Sequence, residues 1–271
     1  MSTPKHPRTR ACLWDGGLFG VGPGAESTSV HAHHAHQLSI SVDGGPVRFR
    51  TPRDGDWRVV RAAVVAADRP HAFDGTGATV AMIFIDPGSY EGRWLGRSLT
   101  EDVTEIPEER IGPLLPRLAS TFRGPFDGEA AAAAVEEVVR AVCRGPRPGR
   151  TQDPRILQAL AHIHGADAAK LSLAEVARTI YLSPSRFAHL FTREVGLPFR
   201  RYLLWRRVNR AMARIGEGRS FTEAAYEAGF ADSAHLTRTF RQMFGLSPSR
   251  MTGTVDFHEM PTPFARPATP S

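Results

Sequence analysis

The sequence predicts an α+β multidomain chain: a β-rich first hundred residues, a pair of helices, and an all-α second half. Three observations carry this. Short apolar runs punctuated by turn signals fill residues 1–104, helical stripes replace them over 105–150, and an internal repeat occupies 151–257. At 271 residues the chain is long enough for two cores, taking about 100–200 residues per domain. A 41% hydrophobic and 23% charged composition is that of a globular protein.

In the first part, Gln37–Ser41, Val47–Arg50, Arg58–Arg61, Ala63–Ala66 and Thr79–Ile85 read as strands. They are bounded by Asp43-Gly44-Gly45-Pro46, Pro52-Arg53-Asp54-Gly55 and Asp74-Gly75-Thr76-Gly77. Many short strands at regular spacing argue for a sandwich or small barrel. The glycine-rich run Gly17–Gly24 lacks the helix that a phosphate cradle needs, so it reads as strand and turn.

In the middle part, Ile111, Leu114, Leu115, Leu118 and Phe122 recur at helical spacing, with Gly112, Pro113 and Pro116 obscuring where the helix begins. Val135, Val138, Val139 and Val142 make a cleaner stripe, capped by Asp127. The pair is an αα-hairpin whose apolar stripe predicts a homodimer contact, the alternative being packing on the β domain. The run Gly145-Pro146-Arg147-Pro148-Gly149-Arg150 is the expected linker. Asp153-Pro154 then starts a new helix with a cap and a proline. A long Arg-rich helix follows over Phe199–Ile215, and residues 258–271, with four prolines and no periodicity, are an expected disordered tail.

Charge divides along the same line. Residues 1–150 hold 18 Lys+Arg against 18 Asp+Glu, whereas 151–260 hold 15 against 10. All but two of the 34 basic residues are Arg, whose planar fork suits phosphates and guanine edges. A basic second half beside a neutral first half points to a nucleic-acid partner for the second alone. The two cysteines, Cys12 and Cys143, make no disulfide framework, and no signal-peptide or membrane-length apolar run is found. The expectation is a cytoplasmic protein with no membrane contact.

The repeat aligns residues 172–201 with 220–250. Each copy is a short helix, a tight turn and a second helix, which is the helix-turn-helix. Ala177 and Ala225 are the small residues at the helix crossing. Tyr181 and Gly229 stand where the turn needs unusual backbone angles, Leu182 and Phe230 plug it, and Ser183 and Asp232 cap the second helix. Phe187, Leu190 and Phe191, then Leu236 and Phe240, face inward. Ser185, Arg186, His189 and Arg193, then Ser233, His235, Arg238 and Arg241, are left outside, where donors and cations can meet bases and phosphates.

From Arg207-Val208 through Ile215, Phe221, Ala224-Ala225, Gly229-Phe230, Leu236, Phe240, Gly245 and Ser247-Pro248, the chain resembles the AraC/XylS family of bacterial transcription regulators. The resemblance covers roughly residues 155–255. It implies two helix-turn-helix units joined by the long helix, each placing its second helix in the major groove. By resemblance, Ser185, Arg186 and His189 and Ser233, His235 and Arg238 are the base-reading positions. It also implies double-stranded promoter DNA, RNA polymerase and an effector as partners.

Five of the eleven histidines fall in the first part: His31, His33, His34, His36 and His71. On a strand, His31, His33 and Gln37 share a face. The run resembles the cupin pattern His-x-His-x-x-x-Glu … His, with Gln37 at the glutamate position and His71 as the last ligand. The resemblance implies a cupin-like β-barrel or jelly roll over 1–104 that senses a small molecule or one divalent transition metal: Zn, Ni, Cu or Fe. The alternative for the cluster is a polar barrel lining. His34 and His36 are expected to face solvent or a partner. The chain therefore reads as a sequence-specific regulator, not an enzyme. The competing reading is a metal-dependent cupin enzyme with a helical appendage.

Overall fold

A computed structural model describes residues 8–14, 16–143, 153–166, 171–248 and 254–263. The linker expected at 145–150 and the last eight residues of the expected tail lie outside the described residues.

Nine strands come from the first part: β1 (Thr9–Trp14), β2 (Gly17–Pro23), β3 (His36–Ser41), β4 (Val47–Arg50), β5 (Arg58–Val60), β6 (Ala62–Val65), β7 (Ala72–Asp74), β8 (Thr79–Ile85) and β9 (Val103–Glu105). A tenth, β10 (Val255–Phe257), comes from the far end of the chain. They form a seven-stranded sheet in the order β10-β1-β2-β8-β3-β6-β9 and a three-stranded sheet in the order β5-β4-β7. Every pairing is antiparallel except β10 on β1.

The large sheet is buried on both faces, so its central strands show almost no polar alternation. On one face, Phe19, Val21, Leu38, Ile40, Val64, Ile83 and Ile85 meet helices. On the other, Ala63, Val65 and Val80 meet Val47, Phe49 and Phe73 of the small sheet. Leu18 and Phe84, also on this second face, meet the second half of the chain.

The first helix, α1 (Tyr90–Ser98), falls inside the stretch that the sequence reads as β. Ser89 caps it by accepting from Gly92 N, and its Trp94 and Leu95 enter the sheet core. Nine residues with two adjacent apolar positions give no helical period, which is why it is invisible in the sequence. Next come α2 (Glu108–Ile111), a 3₁₀ turn (Gly112–Leu114) and α3 (Leu115–Phe122), broken where Pro113 and Pro116 remove donors. Then α4 (Gly128–Val142) starts on the Asp127 cap. Val135, Val138, Val139 and Val142 are all buried in the same core as the sheet. The stripe from which a dimer was expected is thus covered within the chain and offers no free face.

The second half holds α5 (Pro154–Gly165), α6 (Leu173–Thr179), α7 (Pro184–Val195), α8 (Phe199–Gly216), α9 (Phe221–Glu227) and α10 (Ser233–Phe244). One core gathers α5–α7 with the start of α8. Another gathers the end of α8 with α9, α10, the sheet residues Leu18 and Phe84, and Ala35 just before β3. The described part of the expected tail is not loose. His258 N donates to the Ala11 carbonyl at 2.9 Å, its ring stacks on Phe126 at 4.3 Å, and Met260 packs on the sheet core. Strand pairing and two apolar contacts outweigh a proline-rich composition there.

Candidate nucleic-acid interface and metal centre

The two helix-turn-helix units repeat their local chemistry. Ser172 and Glu175 form a capping box on α6, and Ser220 and Glu223 form the same box on α9. Leu182 N donates to the Ala177 carbonyl at 3.0 Å, and Phe230 N to that of Ala225 at 2.9 Å. The turn position is left-handed in both copies, with φ of 57° at Tyr181 and 85° at Gly229. Ser183 accepts from Arg186 N, and Asp232 from His235 N, at the starts of α7 and α10. Gly196 and Gly245 end those helices in the left-handed region.

The left-handed turn is testable. Gly229→Ala should lower stability by about 1 kcal/mol, because a Cβ is strained there by more than the lost chain entropy returns. Urea unfolding measures it, and a stabilised variant would refute the assignment of the turn.

Ser185, Arg186, His189 and Arg193 on α7, and Arg238 and Arg241 on α10, are exposed. Arg186, Arg238 and Arg241 have no ion pair among the described residues, whereas Arg193 is held by Glu194 at 2.9 Å. Ser233 and His235 are only half exposed, and the His235 ring sits edge-on to the turn plug Phe230 at 5.2 Å. Joining the units, the 18 residues of α8 span about 27 Å, comparable with the 34 Å turn that separates successive major-groove segments.

Two units of this kind on one connecting helix make the second half of the chain a double helix-turn-helix domain of the AraC/XylS type. A helix-turn-helix domain family matches residues 176–253. The chain is similar to the transcriptional activator RhrA of Rhizobium meliloti (38% identical over 81 residues, 29% of this chain and 26% of that one). It is also similar to the arabinose operon regulatory protein of Escherichia coli (33% over 103 residues, 36% and 34%) and to the HTH-type transcriptional regulator YidL of the same species (25% over 181 residues, 66% and 58%). The chain thus spans less than two thirds of the length of these relatives. The crystal structure of ToxT from Vibrio cholerae shares the fold, with a TM-score of 0.56 at 11% identity over 87% of this chain and 97% of that one. The relatives reported are regulators and lend nothing to the reading as a cupin enzyme.

The second site lies where the Thr28–His34 segment crosses the small sheet. His31 and His71 form a two-way backbone bridge, with both N–H···O distances 2.9 Å. One ring nitrogen each of His31, His33 and His71 lie within 4.8 Å of one another, all three residues buried. Each Nδ1 faces a backbone carbonyl two residues away: His31 that of Ser29 at 2.9 Å, His33 that of Ala35 at 2.7 Å, His71 that of Arg69 at 3.0 Å. Those bonds fix the tautomer and leave three Nε2 lone pairs for the centre. Burial is the main force holding all three rings neutral; it takes His33 down to about 3.

Two details fit a cation. His71 Nε2 is buried without a hydrogen-bond partner. His33 Nε2 faces Gln37 Oε1 at 2.7 Å while Gln37 Nε2 donates to Ser39 Oγ. Two acceptors at that distance repel unless the amide is reversed or a cation lies between them. A neutral imidazole and amide donor set suits zinc, nickel, copper or iron.

The remaining histidines differ from expectation. His34 is half-buried and hydrogen-bonded through Nδ1 to Asp68, which also binds Arg201 of α8 at 2.7 Å. His36 is buried, its Nδ1 accepting from Ala67 N at 3.2 Å, at the edge of a 480 Å³ cavity. Neither faces open solvent: Asp68 and Arg201 cover His34, and α1 lies against His36 at Gly96. Sequence reasoning also missed Asp86, buried at the end of β8, bonded to Tyr202 of α8 and to Gly88 N at 2.6 Å. Tyr202 in turn bonds His164 Nε2 at 2.8 Å.

Proposed function

We propose that the chain is a sequence-specific transcription regulator acting on double-stranded promoter DNA. Residues 151–257 read DNA, residues 1–104 form a cupin-like sensor, and the 105–150 hairpin buttresses the sensor. The observation that carries this is the repeated turn geometry with Arg186 near the start of α7 and Arg238 midway along α10, both exposed and without an ion pair among the described residues. Ser185 and His189 join Arg186 at base edges, and Ser233 and Arg238 do so in the second unit. His235 adds a base contact only by leaving Phe230. The test is selection of bound sites from random duplexes with the full chain. Two recurring motifs about one helical turn, ~10 bp, apart are expected, and the absence of any enriched sequence would refute the proposal.

Arg193 and Arg241 are proposed phosphate contacts. Arg241→Ala should weaken cognate and random DNA alike and lower the slope of log K against log salt by about 0.9. A loss confined to the cognate site would make Arg241 a base reader instead.

For the effector we propose one divalent transition metal held by His31, His33 and His71, with Gln37 as fourth donor; bound, it supplies charge and a fixed geometry to the Thr28–His34 segment. ToxT has been solved with an unsaturated fatty acid bound. Here, three converging imidazoles favour a cation over an acyl chain. A homodimer and a contact with RNA polymerase remain proposals of the family reading, as does residence in the cytoplasm. No helix among the described residues is long and apolar enough to cross a membrane.

A further inference from the structure

The histidine centre touches α10. Ser29 Oγ donates to the Gly245 carbonyl at 3.1 Å, and Ala32 N donates to the Gln242 carbonyl at 3.2 Å. Gly245, with φ of 70°, ends α10 against the same segment. A Cβ on it would stand 2.7 Å from His31 Nδ1, 2.7 Å from the Ser29 carbonyl oxygen and 2.9 Å from Thr28 Cβ. That Ser29 carbonyl is the one that orients the His31 ring. A second line runs through aromatic rings. His33 lies edge-on to Phe84 at 5.1 Å, and Phe84 edge-on to Phe244 of α10 at 5.6 Å.

We infer that metal occupancy of the three-histidine centre is transmitted to the second helix-turn-helix unit through the seat of the α10 C-terminus on Thr28–His34 and Phe84. This rests on the metal reading of the centre and adds the route by which a metal is felt. The physical reason is short. Ligation through Nε2 ties the side chains of His31 and His33 to that of His71, on segments whose backbones already meet at the His31–His71 bridge, at Thr28–Phe73 and at His33–Asp68. A segment fixed at its ligands is ordered where it meets Gly245 and Gln242, so the metal-loaded chain grips α10 more tightly. Linkage makes the effect reciprocal: the seat strengthens metal binding by the factor by which metal strengthens the seat. No ligand needs to change identity, and the contacts on α10 fall at its C-terminal end, Gln242, Phe244 and Gly245, beyond Ser233, His235 and Arg238.

The test uses the full chain, Zn²⁺ and two variants that keep every histidine. Ser29→Ala removes the hydroxyl bond to Gly245 and keeps the carbonyl that orients His31. Gly245→Ala drives a Cβ into the seat. Zn²⁺ affinity, by competition with a chromophoric chelator, should fall about 5–50-fold in Gly245→Ala and by a smaller factor in Ser29→Ala. Amide hydrogen exchange around Phe244–Leu246 should slow on adding Zn²⁺ to the wild type, slow less in Ser29→Ala, and stay unchanged in His71→Ala. Zn²⁺ bound equally by all seat variants, with no change in exchange at α10, would overturn the inference and leave the metal site standing. A wild type that takes up no Zn²⁺, Ni²⁺, Cu²⁺ or Fe²⁺ would overturn both.

Discussion

Replacing Arg186 and Arg238 together by Ala should remove most discrimination between cognate and random DNA. Each exposed guanidinium has no ion pair among the described residues and is proposed to make a bidentate contact worth about 1–3 kcal/mol. The two sit on separate units with separate cores, so their losses should add, to roughly 2–6 kcal/mol. Arg186→Lys is informative because an ammonium keeps the charge and loses the planar fork. It should keep non-specific binding and lose specificity. Titrations on cognate and scrambled duplexes at one fixed salt concentration decide this. Equal losses on both duplexes would assign these arginines to phosphates.

The second large effect is on stability against pH in the metal-free chain. Burial pushes the Asp86 carboxyl up from 3.8 to about 6, against the pull of Gly88 N–H, Tyr202, Arg206 and Arg93. Its contribution to stability is therefore complete below about pH 4 and lost as pH rises through 6, with an amplitude of about 3 kcal/mol. Buried histidines act in the opposite sense. His33 and His36 drop from 6.5 to about 3 and about 4, chiefly by desolvation. Their contributions are present above 6.5 and lost as pH falls, with amplitudes of about 5 and about 3 kcal/mol. The histidines prevail, so the chain should lose stability between pH 7.5 and pH 5. Asp86→Asn should be the more stable form at pH 7.5. It should lose about 1–2 kcal/mol more than wild type on acidification, since the opposing titration is gone. Urea unfolding in the presence of a chelator at the two pH values measures both, and parallel losses would show that Asp86 does not titrate in this window.

What could be read from the sequence depended on how local the signal was. Each helix-turn-helix copy needs a small crossing residue, a left-handed turn, an apolar plug and a cap within about fifteen residues, and the second copy repeats them in register. Tyr181 and Gly229 could therefore be assigned to the turn before any coordinates. The strands beside Asp-Gly turns were equally legible, with Val47–Arg50 and Thr79–Ile85 matching at both ends. The convergence of His31, His33 and His71 followed from a resemblance more than from strand parity. The Thr28–His34 segment makes only one isolated bridge and is no regular strand.

The rest depended on tertiary contacts. β10 is three residues long, and its partner β1 lies at the other end of the chain, so nothing near Val255 announces it. His34 and His36 were read as outward because a sheet was expected to have one wet face. Here both faces are covered: Arg201 of the second half reaches over to Asp68 beside His34, and α1 lies over His36 at Gly96. The valine stripe of α4 looked available for a partner for the same reason. An apolar face in a sequence says that it will be covered and is silent on whether its own chain does the covering.

The pairing of β10 with β1 sets how the helical half can move. That half departs from the sheet after Cys143 and comes back to it at Val255, so it is moored at both ends. A body on a single tether can swing through a wide cone, whereas one on two moorings retains little more than rotation about the line joining them. Phe257 against Gly216, at the end of α8, sits at the second mooring and stiffens it. With the β10 pairing intact, a rearrangement between the halves would change angle far more than distance. A wide opening would first require β10 to peel away from β1.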